Sequence, residues 1–284
     1  MLIFFGVSLL TIFFGLLSAL TWGAADFNGG LASRRTDAHV VVICGQASGM
    51  ALLLALAGLS REAVPSMTAW LWGGAAGLCG GIGLSILYRA LASGRMSVAA
   101  PVSALLAAII PVLVSAVVEG FAGRWTLLGF ALALAAIWLI SRGEDGTTFR
   151  FGELRLPLAA GLTFGLFFVF MHQAGSESVL WPIVASRITS IASLLVYALV
   201  TRQPWHLARS RWPLIILSGI LDVGGNAFFI LAGQIGRLDV AAVLGSLYPG
   251  STVALARLVL KERITRLQAI GILLGLASIL LIAL

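Results

Sequence analysis

Ten apolar stretches of roughly membrane-spanning length follow one another along the chain, and they limit its fold more than any other feature. They cover approximately 4–32, 38–59, 67–91, 97–118, 124–141, 155–173, 178–201, 211–234, 239–260 and 265–284. A helix needs about 20 mostly apolar residues to cross the hydrocarbon core of a bilayer. Ten such helices use roughly 200 residues and leave about 80 for connections, which excludes a separate soluble domain. The composition agrees: 60% of residues are hydrophobic and 10% charged, whereas a soluble domain has about 45–50% and about 25%. The fold expected is all-α and integral to a membrane.

The formal net charge of +7 would suggest a nucleic-acid partner in a soluble protein. Here the basic residues stand singly or in pairs in the connectors, such as Ser33-Arg34-Arg35-Thr36-Asp37, Ser60-Arg61-Glu62 and Lys261-Glu262-Arg263. That is the pattern of loop charge in a membrane protein, so the expected partner is the bilayer and no nucleic acid is expected. Cys44 and Cys79 fall inside apolar stretches and suggest neither a disulfide framework nor a zinc site. Residues 1–20 are apolar without a basic leader and read as part of the first spanning helix.

Shifted by half its length, the chain matches itself. Gly94-Arg95-Met96-Ser97-Val98-Ala99-Ala100 falls on Gly236-Arg237-Leu238-Asp239-Val240-Ala241-Ala242. Thr21-Trp22-Gly23 falls on Thr163-Phe164-Gly165, and Trp70 on Trp212. Between 93–142 and 235–284 there are 16 identities in 50 ungapped positions, and the shared Gly-Arg-x-x-Val-Ala-Ala connector is not an effect of apolar composition. The domains expected are therefore 1–142 and 143–284, with five helices each. Five is odd, so the second repeat enters the membrane inverted. Inverted repeats are a mark of secondary transporters, which place substrate near the midplane between the halves.

Ten helices put both termini on one side. Connectors after odd-numbered helices hold thirteen basic residues, among them Arg34, Arg35, Arg142, Arg202, Arg209 and Arg211; the other side holds Arg61, Arg124 and Arg237. The positive-inside rule makes the thirteen cytoplasmic and the termini periplasmic or extracellular.

Several of these residues resemble the drug/metabolite transporter superfamily, in particular its ten-helix EamA-type members. Leu20-Thr21-Trp22-Gly23 resembles the family's opening Leu-Trp-Gly pattern. Tyr88-Arg89-Ala90-Leu91, followed by Met96-Ser97-Val98-Ala99-Ala100-Pro101, resembles its third-to-fourth helix junction. Pro111 and Pro249 stand where the family often has a mid-helix proline. Leu260-Lys261-Glu262-Arg263-Ile264-Thr265, with Gly271, resembles its Gly-Glu-Arg-x-Thr-x-x-Gln-x-x-Gly signature, and Val118-Glu119-Gly120 with Gly129 is a degraded copy in the first half. The resemblance implies a transporter of small metabolites in the inner (plasma) membrane. It favours export, with YddG-like amino-acid exporters as the nearest subgroup, and sugars or cationic drugs as other cargoes. Many members with this architecture have cytoplasmic termini, which the loop charges here oppose.

Two carboxylates stand deep in apolar stretches. Asp26 lies about 12 Å from the end of the first helix and Asp222 about 15 Å into the eighth. Such groups are costly in a bilayer and are candidates for binding a substrate ammonium or a coupling proton. The alternative is that they only pack the bundle. Their repeat partners, Phe168 and Gly80, are not acidic, which favours substrate handling over a symmetric scaffold. Asn226 follows Asp222 by one helical step, and Trp22 precedes Asp26 by the same step. The expected substrate site is Trp22, Asp26, Tyr88, Ser103, Phe164, Asp222, Asn226 and Tyr248. His172 reads as interfacial and Arg187 as structural, with Gln46 as its approximate counterpart.

Other function classes find less support. An intramembrane aspartyl protease would use two midplane Asp, but Gly219-Ile220-Leu221-Asp222 lacks the Gly-x-Gly-Asp context. There is no Gly-x-Ser-x-Gly elbow, no His-Glu-x-x-His and no Walker loop. No enzyme activity, cofactor or metal is expected. A channel is the alternative within transport. The partners expected are a small-molecule substrate and protons as the candidate coupling ion, with the chain a monomer or weak homodimer. Gly271-x-x-x-Gly275 is a packing motif more suited to contact within the chain than to a dimer.

Overall fold

A computed structural model describes residues 7–92, 96–140, 155–260 and 265–283. The connector 141–154, Gly94-Arg95 and Lys261-Glu262-Arg263 lie outside the described residues. Among the described residues there are eleven α-helices and no strand. They are α1 (Leu9–Ser33), α2 (Ala38–Ser60), α3 (Met67–Ala92), α4 (Met96–Val118), α5 (Arg124–Ile140) and α6 (Arg155–Ala174). The rest are α7 (Leu180–Val200), α8 (Trp212–Ile235), α9 (Leu238–Gly245), α10 (Tyr248–Leu260) and α11 (Arg266–Ala283).

Seven spans are long and apolar enough to cross a membrane, one of them the combined α9–α10 stretch Leu238–Val259; Ser103–Val118, Arg124–Leu139 and Arg266–Ile282 are shorter apolar helices. The outer surface is apolar too: Val117, Phe121 and Leu59 are each at least 80% exposed. Helices satisfy their own backbone groups, so an apolar exterior suits them to lipid. The chain reads as a multi-pass membrane protein.

The ninth apolar stretch is broken, where the sequence reads as continuous. α9 stops at Gly245, and α10 starts at Tyr248 with Pro249 in its first turn. A proline has no N–H to continue the ladder but fits the first turn of a new helix. Across the break, Leu247 N–H donates to the Leu244 carbonyl (3.1 Å), and Gly250 N–H to that of Leu247 (2.9 Å). The break presents Tyr248 at a helix start in the middle of the bundle.

Packing partners come in matched sets. α1 lies against α8, and α6 against α3; α2 also packs on α8, and α7 on α3. α1 meets α9 and α10, while α6 meets α4. α5 and α11 pack chiefly on each other. Exchanging the first five apolar segments with the last five maps this set onto itself.

Glycines permit the closest of these approaches, again in pairs separated by half the chain. A Cβ on Gly77 would stand 2.1 Å from the Ser186 carbonyl oxygen, and one on Gly219 1.9 Å from that of Gly45. A Cβ on Gly83 would meet the Phe164 ring at 2.9 Å, and one on Gly225 the Trp22 ring at 2.5 Å. Small residues at these crossings let backbones touch where a bilayer gives no hydrophobic drive to helix pairing. Gly275 of the Gly-x-x-x-Gly motif faces Ala136 of α5, so the motif is used within the chain.

Connectors latch to one another at both ends of the bundle. At one end the Glu62 carboxylate accepts the N–H groups of Val179 (2.6 Å) and Leu180 (2.9 Å) at the start of α7. Glu177 accepts both the N–H and the hydroxyl of Ser66, each at 2.7 Å. Those two bonds hold its carboxyl below the ordinary glutamate range. At the other end Asp37 accepts His206 N–H (2.8 Å), and Thr36 Oγ1 accepts Ala208 N–H (3.2 Å). Ser66 and Ala208 are themselves repeat partners, half the chain apart. Arg237 adds a third latch, binding Asp239 (2.8 Å) and the Gly120 carbonyl (2.7 Å) that ends α4. Gly120 has φ +83°, the left-handed turn that a glycine makes without Cβ strain.

Candidate functional site

The helices leave a partly open cavity between them, with about 590 Å³ of empty space including its open mouth. α1 contributes Trp22 and Asp26, α8 contributes Asp222 and Asn226, and the one-turn spacing within each pair puts both members on the inward face. α6 adds Phe164 and α10 adds Tyr248. Six of the eight expected site residues therefore line the same cavity.

Tyr88 and Ser103 do not line it. The Tyr88 hydroxyl bonds Ser218 at 3.2 Å, and Ser218 in turn donates to the Ala25 carbonyl at 2.9 Å. Its ring fills the space where Gly29 lacks a side chain. Tyr88 thus ties α3, α8 and α1 together beside the cavity. Ser103 is fully buried and donates to the Pro157 carbonyl at 3.2 Å, between α4 and α6. His172 packs against Gly233 of α8.

Arg187 is the main residue whose role the sequence reading misses. It lines the cavity and forms an ion pair with Asp222; the two side chains are 4% and 16% exposed. A lone arginine within an apolar helix leaves its partner open, because the acid lies 35 residues away on another helix. Its assigned counterpart, Gln46, lines the cavity as well. Arg257 is exposed on α10 and is not part of this wall.

Much of the apolar lining is aromatic: Trp22, Phe164, Phe167, Phe168 and Tyr248. Phe168 stacks on Phe229 with ring centroids 4.9 Å apart, and Trp22 leans on Phe168 at 5.4 Å. This cluster is the centre of the largest buried core. Several lining residues stand half the chain apart in sequence: Trp22 and Phe164, Asp26 and Phe168, Gly80 and Asp222, Leu84 and Asn226.

The polar lining groups are incompletely satisfied. Asn226 Nδ2 donates to the Asp222 carbonyl at 2.6 Å, and its Oδ1 has no partner. Gln46 Oε1 and Arg187 Nε are likewise buried without a hydrogen bond. Buried polar atoms are almost always paired, so three such atoms around one cavity mark a place where a ligand or water completes the bonding. Among the described residues no cluster of His, Cys, Asp and Glu could hold a metal ion.

Residues 152–284 match the EamA-like transporter family, a span that includes α6 to α11 and lies in the second half of the chain. No curated protein matches the chain. One solved crystal structure superimposes with a TM-score of 0.75 at 18% identity, covering 95% of this chain and 95% of that one. A likeness at that identity shows a shared fold and nothing of the cargo.

Proposed function

We propose that the chain is a secondary transporter of the drug/metabolite class, built from two inverted five-helix repeats of ten membrane crossings in all. It resides in the plasma membrane and moves a small organic solute, of the size and chemistry of amino acids and their analogues, through the central cavity. The observation that supports this most is the cavity lining, drawn from both halves at positions half the chain apart, which mixes aromatic rings with charged and amide groups. An aromatic wall binds the apolar part of an amphipathic solute while a few polar groups orient it.

Alternating access follows from the same arrangement. If the halves can exchange conformations, the latch Glu62–Glu177–Ser66 at one end and the latch Asp37–Thr36–Ala208 at the other open in turn. The broken α9–α10 stretch supplies the irregular backbone that transporters place beside their sites. Export is the direction that the resemblance favours. A protease reading is weakened by Arg187: two acids that share a proton leave no role for an arginine bonded to one of them.

Reconstitution in proteoliposomes tests the reading. Loaded with unlabelled amino acids or amines, they should accumulate labelled solute by counterflow, with a rate that saturates. Flux that stays linear with concentration and shows no counterflow means a channel and overturns the carrier.

A further inference from the structure

Three formal charges line the cavity: Asp26, Asp222 and Arg187. Arg187 and Asp222 neutralise each other. Asp26 is left as the unmatched charge. Among the described residues no cation and no hydrogen-bond donor pairs with its carboxylate, and the charged neighbour it feels is Asp222, of the same sign. The unpaired acceptors Gln46 Oε1 and Asn226 Oδ1 belong to residues lining the same cavity, on side chains 4% and 2% exposed. The Asn226 orientation is fixed, because its Nδ2 is already engaged by the Asp222 carbonyl. The aromatic rings of Trp22 and Phe168 line the cavity too, and their π faces attract cations.

We propose that the cavity takes a monocationic primary or secondary amine on an aromatic or other apolar body, with the Asp26 carboxylate as its counter-ion and the Gln46 and Asn226 carbonyls accepting its N–H groups. This rests on the transporter reading of the same cavity and moves its preferred substrate from amino acids to their analogues that keep the amine and lack the carboxylate. An amine supplies what the wall lacks: one positive charge and two or three donors. A zwitterion or an anion fits worse. The lining charges sum to −1, so a zwitterion leaves that charge uncompensated and an anion adds a second, whereas a monocation neutralises it. The remaining donor, Arg187 Nε, suits a neutral oxygen such as a hydroxyl or carbonyl on the amine.

Phenethylamine, phenylalanine and 3-phenylpropionate share one ring and carry net charges of +1, 0 and −1. Each is titrated calorimetrically into the full chain, purified in lipid nanodiscs. Phenethylamine should bind at least tenfold tighter than either of the others. Asp26→Asn should weaken the amine at least tenfold and leave the ranking of the other two unchanged. Asp26→Glu, which keeps the charge, should restore most of the loss. Equal or tighter binding of phenylalanine or phenylpropionate to the unaltered protein overturns the proposal, as does an Asp26→Asn protein that binds the amine normally. So does a failure of all three to bind, and these ligand comparisons hold even if the variant does not fold. Flux in proteoliposomes is read separately: an amine that binds but is not carried upholds the site and sinks the transporter reading. Carried phenylalanine with no preference for the amine does the reverse.

Discussion

At the scale of single residues, the Arg187–Asp222 pair sets the electrostatics of the cavity and is its most vulnerable point. Two buried charges hold each other at a desolvation cost, and removing one partner leaves the other stranded. Arg187→Gln should destabilise the folded protein by about 3–5 kcal/mol, the usual loss when a buried pair is broken. Asp222→Asn in the same chain should recover much of that, because the stranded carboxylate disappears. Thermal unfolding of the single and double variants in one detergent measures this; a double variant no more stable than Arg187→Gln alone means that the pair is not the source of the loss. Much of this site is legible in the sequence. Asp26, Trp22, Asp222 and Asn226 follow from depth in apolar segments and one-turn spacing, both of which are local in sequence. Arg187 falls in the right helix but without its partner, since pairing across 35 residues and two helices leaves no periodic trace. Tyr88 and Ser103 are expected at the wall because of their residue type. The structure buries them instead in contacts with Ser218 and Pro157, which a linear reading cannot weigh.

At the scale of helices, the same physics explains which features the sequence displays. Helix existence follows from runs of apolar residues, and the boundaries found lie close to those expected. The break between α9 and α10 escapes that reading, although Pro249 marks it, because a proline in a membrane helix signals a kink, a break or neither. The glycines of α3 and α8 are conspicuous, but the sequence does not say which ones touch a neighbour. The structure separates them. Gly219→Val should unfold or misassemble the bundle, because its side chain would collide with the Gly45 backbone. Gly77→Val should do the same against Ser186. Gly58 has nothing within 4 Å, and Gly58→Ala at this exposed position of α2 should be neutral or gain about 0.5–1 kcal/mol from helix propensity. Monodispersity and melting temperature of the three purified variants check the contrast. If Gly58→Ala is as damaging as Gly219→Val, close helix approach is not what the glycines provide.

At the scale of the whole molecule, the question is which end faces the cytoplasm, and it is a matter of charge rather than packing. The helices alternate in direction along the chain, so connectors 34–37 and 201–211 share one end and connectors 61–66 and 175–179 the other. The latches agree, for Asp37 and Thr36 reach residues 206 and 208, while Glu62 and Glu177 reach residues 179, 180 and 66. The first end holds the exposed Arg34, Arg35, Arg202 and Arg209, and by the sequence count thirteen basic residues against three. Translocating thirteen basic residues through the membrane is strongly disfavoured, and this bias sets orientation when it is concentrated in short loops. Single cysteines at two exposed connector positions, Ser176 and Arg202, decide it once Cys44 and Cys79 are replaced. In intact cells an impermeant maleimide should label Ser176→Cys within minutes and reach Arg202→Cys only after the membrane is opened. Labelling of Arg202→Cys from outside, with Ser176→Cys protected, would place the termini in the cytoplasm. The cavity would be unaffected, since its lining does not depend on which end faces the cytoplasm. The loop charges would then have failed as a guide to orientation.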